Sequence, residues 1–393
     1  MRTPLALLNL LHEKTRLIVA IAGVAFAVLL IFMNLGFLGA LTQTTSEIYS
    51  KINADIVMIS PQTLEISTSK TFPRDRLYQV AGIDGVEQVM PLYVGYMQWR
   101  NPETRLSRAL FAFAINPRDP VFSLPELADP ATIQALEQRD AVLFDRRSRP
   151  EFGPQTVGTT TEVERRQVKI VGTYTLGGGF AADGTLIMSD QNFLRFFEPR
   201  QLDRIDLGLI RLQPGVDPDK MVQMIRDRLG NPEDDSLRNQ RPNDVLVLTK
   251  EQVIQREQTY WVAATSIGFI FGLGVIVSFI VGTVIVYQIL YTDIADHLPE
   301  YATLKAMGYR SRYLFGVVIQ EAVLLAVMGY IPGFLFSTGL YELTTRATSG
   351  SLPMAMNFGR TVFVLLLTIA MCIVSGLISV RKVVTADPAE VFS

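Results

Sequence analysis

Four long apolar runs punctuate the sequence, at Leu17 to Leu41, Tyr260 to Tyr291, Tyr313 to Tyr341 and Thr361 to Val380. Each reaches the roughly 20 residues that a helix needs to cross the hydrocarbon core of a bilayer. The third run carries a carboxylate, Glu321, about two turns beyond Tyr313, and Pro332, whose missing N–H predicts a kink. Ahead of the first run, residues 3 to 16 set Leu5, Leu8 and Leu11 or His12 against Glu13 and Lys14, the pattern of a short helix lying in the membrane interface. The first run is longer than the apolar core of a secretory signal, and no clear small-x-small cleavage site follows it, so it reads as a retained span.

Between residues 42 and 259 the period shortens. Residues 42 to 53 leave the first run as a polar helix, and TKEQVIQREQ at 249 to 258 leads into the second with good helix formers, which predicts paired stalks. ADIVMIS at 54 to 60 reads as a strand and PRDRLYQVAG at 73 to 82 as a helix with Pro in its first turn. GVEQVMPLYVGYMQWR and RLSRALFAFAIN form a predicted hairpin around Asn101 and Pro102. RIDLGLIRL, VDPDKMVQMIRDRLG and DVLVLT then read as strand, helix and strand, leaving an inserted lobe over residues 120 to 200. The fold class expected is an α-helical membrane protein with four transmembrane helices and a large α+β extracytoplasmic domain.

Charge sets the orientation. Arg2, Lys14, Arg16, Lys305, Arg310, Arg312, Arg381 and Lys382 fall on one side, whereas the short loop at 342 to 360 offers Arg346 and Arg360. Because short cytoplasmic segments collect Lys and Arg, both termini and the 292 to 312 loop are expected in the cytoplasm, with the large domain outside.

Composition excludes several chemistries. A net charge of -2 supplies no concentrated basic surface for nucleic acid. Two His and one Cys, Cys372, which lies within an apolar run, leave little for a metal cluster or a disulfide framework. The Gly177 to Gly179 cluster is followed by TLIMS, a strand pattern, so it lacks the strand-to-helix setting of a phosphate loop and reads as a β-loop. No catalytic spacing stands out among the carboxylates of the outer segment. Tyr260 and Trp261 suit interfacial anchors.

The segment HLPEYATLKAMGY, 297 to 309, is far longer than is needed to turn one span into the next. Pro299 suits a first helical position, Glu300 and Lys305 complement the helix ends, and Gly308 is a natural terminator. Tyr301, Leu304 and Gly308 share one face, and Ala302 and Ala306 form a small-residue face. By pattern alone this is either a membrane-surface connector or a docking helix. Glu321 likewise stands either as a paired intramembrane carboxylate or as a group in the headgroup zone.

EYATLKAMGY, followed by LFGVVIQEAVLL, resembles the coupling segment of FtsX-like ABC transporter permeases, where an E-x-A/G-x-L-K/R-A-x-G run docks into the ATPase. The four-span layout is similar to that of MacB-like and lipoprotein-release permeases. With GTYTLGGGFAADGTLIMSDQNF and the opening TPLALLNLLHEKTR, the likeness is greatest to the DevC-type branch. The resemblance implies that Glu300, Tyr301, Leu304, Lys305, Met307 and Gly308 contact an ABC ATPase subunit present in two copies, within a homodimer of this chain. It also implies an HlyD-like periplasmic adaptor, a TolC-like outer-membrane channel and export of an envelope lipid or glycolipid, driven by motion transmitted across the inner membrane. MacB carries its nucleotide-binding domain ahead of the first span, where this sequence has no room for one. None of its eight lysines follows a glycine, so the Gly-Lys step of a Walker A loop is absent. No cofactor of its own is expected, with ATP and Mg bound by the partner ATPase. An FtsX-like regulator of an outer hydrolase, a lipoprotein-release permease and a membrane-anchored enzyme are the alternatives.

Overall fold

The structure is a computed structural model that describes residues 14–177, 182–229, 244–300, 303, 307, 309, 311–348 and 352–385. Most of the expected interfacial segment, 3 to 16, lies outside them. The chain divides into a helical unit, residues 1–39, 266–344 and 354–393, and an α/β unit, residues 40–265 and 345–353.

In the helical unit, α1 (Lys14–Lys51), α7 (Ser266–Asp296), α8 (Ser311–Ala347) and α9 (Phe358–Thr385) are long and apolar. Among the described residues these four helices are the ones able to cross a membrane. Burial is bought by small residues, because hydrocarbon offers no hydrophobic drive between helices and close backbone approach must supply dispersion instead. A methyl added at Gly333 of α8 would stand 2.8 Å from Cβ of Val28 on α1, and one at Gly329 would overlap Val24. Ser375 Oγ of α9 donates to the Thr283 carbonyl of α7 at 2.7 Å. Tyr341 Oη of α8 donates to the Phe32 carbonyl of α1. Pro332 is accommodated inside α8. The second apolar run was expected from Tyr260, but the helix begins at Ser266. Tyr260–Ala264 form a π-helical turn, and Thr265 is extended, with φ −96° and ψ 151°. The sequence carries no charge or proline between Tyr260 and Ser266 to mark that break.

The α/β unit is built on one nine-stranded sheet, in the order β11-β1-β10-β3-β4-β8-β5-β7-β6. Its strands are β1 (Ile56–Ile59), β3 (Val86–Arg100), β4 (Ser107–Ile115), β5 (Ala141–Asp145), β6 (Thr160–Val163), β7 (Arg166–Tyr174), β8 (Thr185–Ser189), β10 (Leu207–Leu212) and β11 (Leu246–Thr249). A separate ribbon pairs β2 (Phe72–Pro73) with β9 (Arg204–Ile205). AVLFD and TLIMS are buried along their whole length, as continuous apolar strands at the centre of a covered sheet should be. β3 serves two neighbours in turn, pairing with β10 through its first half and with β4 through its second. Strands of the expected inserted lobe therefore continue the same sheet. β6 also meets β3 at Trp99 and Val163, closing β3, β4, β8, β5, β7 and β6 into a ring. Trp99 is buried inside it, and its indole N–H donates to the Phe152 carbonyl at 3.0 Å.

One face of the sheet packs against α2 (Asp75–Val80) and α5 (Pro218–Leu229) through Leu77, Val80, Met221, Val222 and Ile225. The spacing of Met221, Val222, Ile225 and Leu229 is that of a one-sided helix. The other face receives Ile48, Tyr49 and Ile52 from the end of α1 and Val253 from α6 (Lys250–Thr259). Two further short helices, α3 (Pro130–Leu136) and α4 (Asp190–Phe196), start at the side-chain caps Asp129 and Ser189.

Asp145, at the end of β5, is fully buried. It accepts hydrogen bonds from the Arg147 N–H at 3.0 Å, the Leu176 N–H at 3.2 Å, the Thr185 hydroxyl at 2.9 Å and the Gly177 N–H. These bonds fix the entry to the glycine cluster, of which Gly178 and Gly179 lie outside the described residues. Asp145→Ala strands several buried donors and is expected to cost about 2–4 kcal/mol, read as a lowered thermal midpoint of the full chain in detergent, with Asp145→Asn losing less.

Candidate functional site

The expected coupling segment begins where α7 ends. His297 N–H donates to the Asp293 carbonyl at 3.1 Å, and Glu300 N–H donates to the His297 carbonyl at 3.1 Å. Residues 298–300 and 303 are helical. The Thr303 hydroxyl donates to the Pro299 carbonyl at 2.9 Å and Met307 N–H to the Thr303 carbonyl at 3.0 Å, and Met307 is a turn residue. Glu300 and Met307 are exposed. Tyr301, Leu304, Lys305 and Gly308 lie outside the described residues, so the two faces expected of this helix have no structural description here.

Glu321 is fully buried on α8. Its surroundings include a group that the sequence pattern did not single out, His297, which also stands beside Asp293: the imidazole Nδ1 lies 3.0 Å from the Asp293 carbonyl and 3.8 Å from its carboxylate. Partial burial opposes the imidazolium, but the Asp293 carbonyl and the carboxylates of Asp293, Glu300 and Glu321 outweigh it and raise the His297 pKa. Glu300 and Glu321, both singled out by the sequence pattern, act on this imidazole only as weak contributions after Asp293. An acid followed four residues later by histidine at a helix end, DIADH, was the available signal. Arg16 of α1 also pairs with Asp296 at 2.6 Å, a partly exposed bond worth at most about 1 kcal/mol.

A second constellation lies in the α/β unit, where the end of α1 meets α6. A capping box starts α6: the Thr249 hydroxyl accepts from the Gln252 N–H at 3.3 Å, and the Gln252 side chain accepts from the Thr249 N–H at 3.2 Å. The Gln258 amide of α6 reaches back to Ser46 Oγ at 2.6 Å and the Thr42 carbonyl at 3.0 Å. Glu257, 4% exposed, accepts from the Tyr49 hydroxyl at 2.7 Å. One carboxylate therefore ties the end of α1 to α6. Burial dominates its titration and pushes it up to about 7, opposed by the Tyr49 hydrogen bond and the nearby Ile66 N–H and Trp261 indole, with Glu65 adding repulsion. Sequence reading placed Glu257 on a polar stalk and had no signal for its burial.

A family model described as the MacB-like periplasmic core domain matches residues 17–228, and one described as the FtsX-like permease C-terminal domain matches residues 272–388. The chain belongs to the MacB/FtsX-like permease family. As a permease of the ABC transporter type, it has an ABC ATPase as its implied partner, and the second match contains the whole 297–309 segment. Three solved structures are similar to parts of this permease. The periplasmic region of MacB from Actinobacillus actinomycetemcomitans is 10% identical, with a TM-score of 0.35 over 53% of this chain and 94% of that one. The extracellular domain of the noncanonical ABC-type transporter YknZ from Gram-positive bacteria is 13% identical, with a TM-score of 0.33 over 50% and 100%. A domain of a putative permease protein from Porphyromonas gingivalis is 14% identical, with a TM-score of 0.31 over 51% and 90%. No curated protein matches the sequence.

Glu257 gives this permease a testable pH dependence. Its folded-state pKa of about 7 lies above the ordinary 4.5, so between those values the folded state binds more protons than the unfolded state, and its stabilising contribution falls as pH rises. Thermal midpoints of the full chain should therefore fall from pH 5 to pH 7 more steeply in the wild type than in Glu257→Gln. Parallel curves would remove the assignment.

Proposed function

We propose that this permease is the membrane subunit of an exporter driven by a separate ABC ATPase that docks on the cytoplasmic face of Glu300 to Gly308. The observation that carries the reading is the exposure of Glu300 and Met307 on a segment that continues from the end of α7 through His297. The family match across that segment supports it.

Two ATPases bind ATP and Mg, close on one another, and push the segments of two permease copies arranged as a homodimer. Helices pass the displacement on. α1, with 38 residues, extends about 57 Å, which exceeds the roughly 30 Å of hydrocarbon and carries it into the α/β unit without interruption. Both termini lie in the cytoplasm and the α/β domain in the periplasm, as the distribution of Lys and Arg supports. There the domain drives an envelope lipid or glycolipid into an HlyD-like adaptor and a TolC-like outer-membrane channel. Membrane lipids surround the exposed apolar face of α7, which includes Phe269, Ile270, Ile276 and Ile280.

The test begins with the ATPase that copurifies with the permease from native membranes. In nanodiscs, Glu300→Lys and Met307→Arg should each lower permease-stimulated ATP turnover by about tenfold or more, and a cysteine at position 307 should crosslink to that ATPase. Unaltered turnover together with no crosslink would end the proposal. Glu321→Gln should leave the complex assembled while transport linked to ATP is lost. Export at the wild-type rate would show that Glu321 has no coupling role.

A further inference from the structure

The stalk helix α6 and the π-helical turn after it enclose a cleft of 540 Å³ that no step above uses. That is within the roughly 300–1,000 Å³ range of ligand sites. Leu64, Tyr260, Ala263 and Ala264 supply an apolar wall, while Arg256 and Gln252 supply polar groups. Among the described residues of the lining Arg256 is the charged one, with no carboxylate.

The state of Arg256 indicates what the cleft suits. Its Nη2 donates to the Thr63 carbonyl over 3.4 Å, and its Nε is buried without a hydrogen-bond partner. The buried Nε is out of a ligand's reach, but the hydrogen bond at the guanidinium end is long, so an anion approaching the Nη groups from the cleft would add charge-assisted hydrogen bonds there. Leu64 is half exposed on the same cleft, an apolar surface beside that cation. The π-helical turn builds this arrangement: Tyr260 lines the cleft while Trp261 is held back on Glu257, and Ala264 stands two residues ahead of Ser266, where the second apolar helix starts. π-Helical turns inside helices are frequent at functional sites because they re-aim side chains in this way.

We propose that this cleft binds a single-chain anionic amphiphile of the outer leaflet, its headgroup on Arg256 and its first methylenes along Leu64, Tyr260, Ala263 and Ala264. The site deepens the export reading by giving the cargo class a negative headgroup, and it rests on that reading only for the direction of transport. Charge complementarity selects the headgroup, and the apolar wall selects the chain.

The test uses the full chain in nanodiscs of zwitterionic phosphatidylcholine, with Trp261 fluorescence as the reporter, because Trp99 is buried elsewhere in the sheet ring. Lysophosphatidylglycerol should shift the emission saturably, with lysophosphatidylcholine and glycerol 3-phosphate binding at least about tenfold more weakly. Arg256→Gln should weaken lysophosphatidylglycerol about tenfold, Arg256→Lys should retain most of the affinity, and Ala263→Phe should occlude the cleft. Equal binding of the two lysolipids, or an unchanged affinity in both Arg256→Gln and Ala263→Phe, overturns the proposal. Glycerol 3-phosphate binding as tightly as the lysolipid overturns the amphiphile assignment, leaving an anion site. None of these arms needs an ATPase, so amphiphile binding that persists when the position 307 crosslink fails sinks the coupling reading and spares this one.

Discussion

Hydrocarbon cannot hydrogen-bond a peptide group, and that constraint shapes the whole molecule. Each of the four spans must satisfy its own backbone, so each is a continuous helix. Side-chain polarity inside such a bundle has to be handled locally. Ser375 and Ser379 do so by donating to carbonyls of α7, and Ser337 by donating to one in its own helix. Glu321 is a carboxylate fully buried in the same bundle.

The α/β domain solves the opposite problem, holding long strands together in water. β3 is long enough to belong to two neighbourhoods, and its contact with β6 closes the far one around Trp99. The helix ends that enter the domain are fixed by a buried carboxylate rather than by apolar packing alone. Glu257 accepts the Tyr49 hydroxyl in a buried setting, so a relative shift between the end of α1 and α6 would cost that hydrogen bond.

Much of this was legible in the residues. Continuous apolar runs marked the spans, the turn residues Asn101 and Pro102 marked the β3–β4 hairpin, and VDPDKMVQMIRDRLG marked α5. Pro299 and Glu300 marked a helical start in the coupling segment. What stayed hidden depends on distant partners. Nothing local to Trp99 or Val163 announces that they meet, and Glu257 looks like any polar stalk residue until Tyr49 and Ile66 fold over it. The interruption before Ser266 was hidden for a different reason: YWVAA is equally at home in a span and in a turn, so apolarity could not distinguish them.

That interruption separates two kinds of connection. α1 is one unbroken helix from Lys14 to Lys51, ending at residues that pack on the sheet. The second link between bundle and sheet domain, from α6 to α7, is instead interrupted by a π-helical turn and the extended residue Thr265. The two ends of the domain's insertion are thus hinged differently: backbone rotation is free at Thr265 and locked by hydrogen bonds along α1.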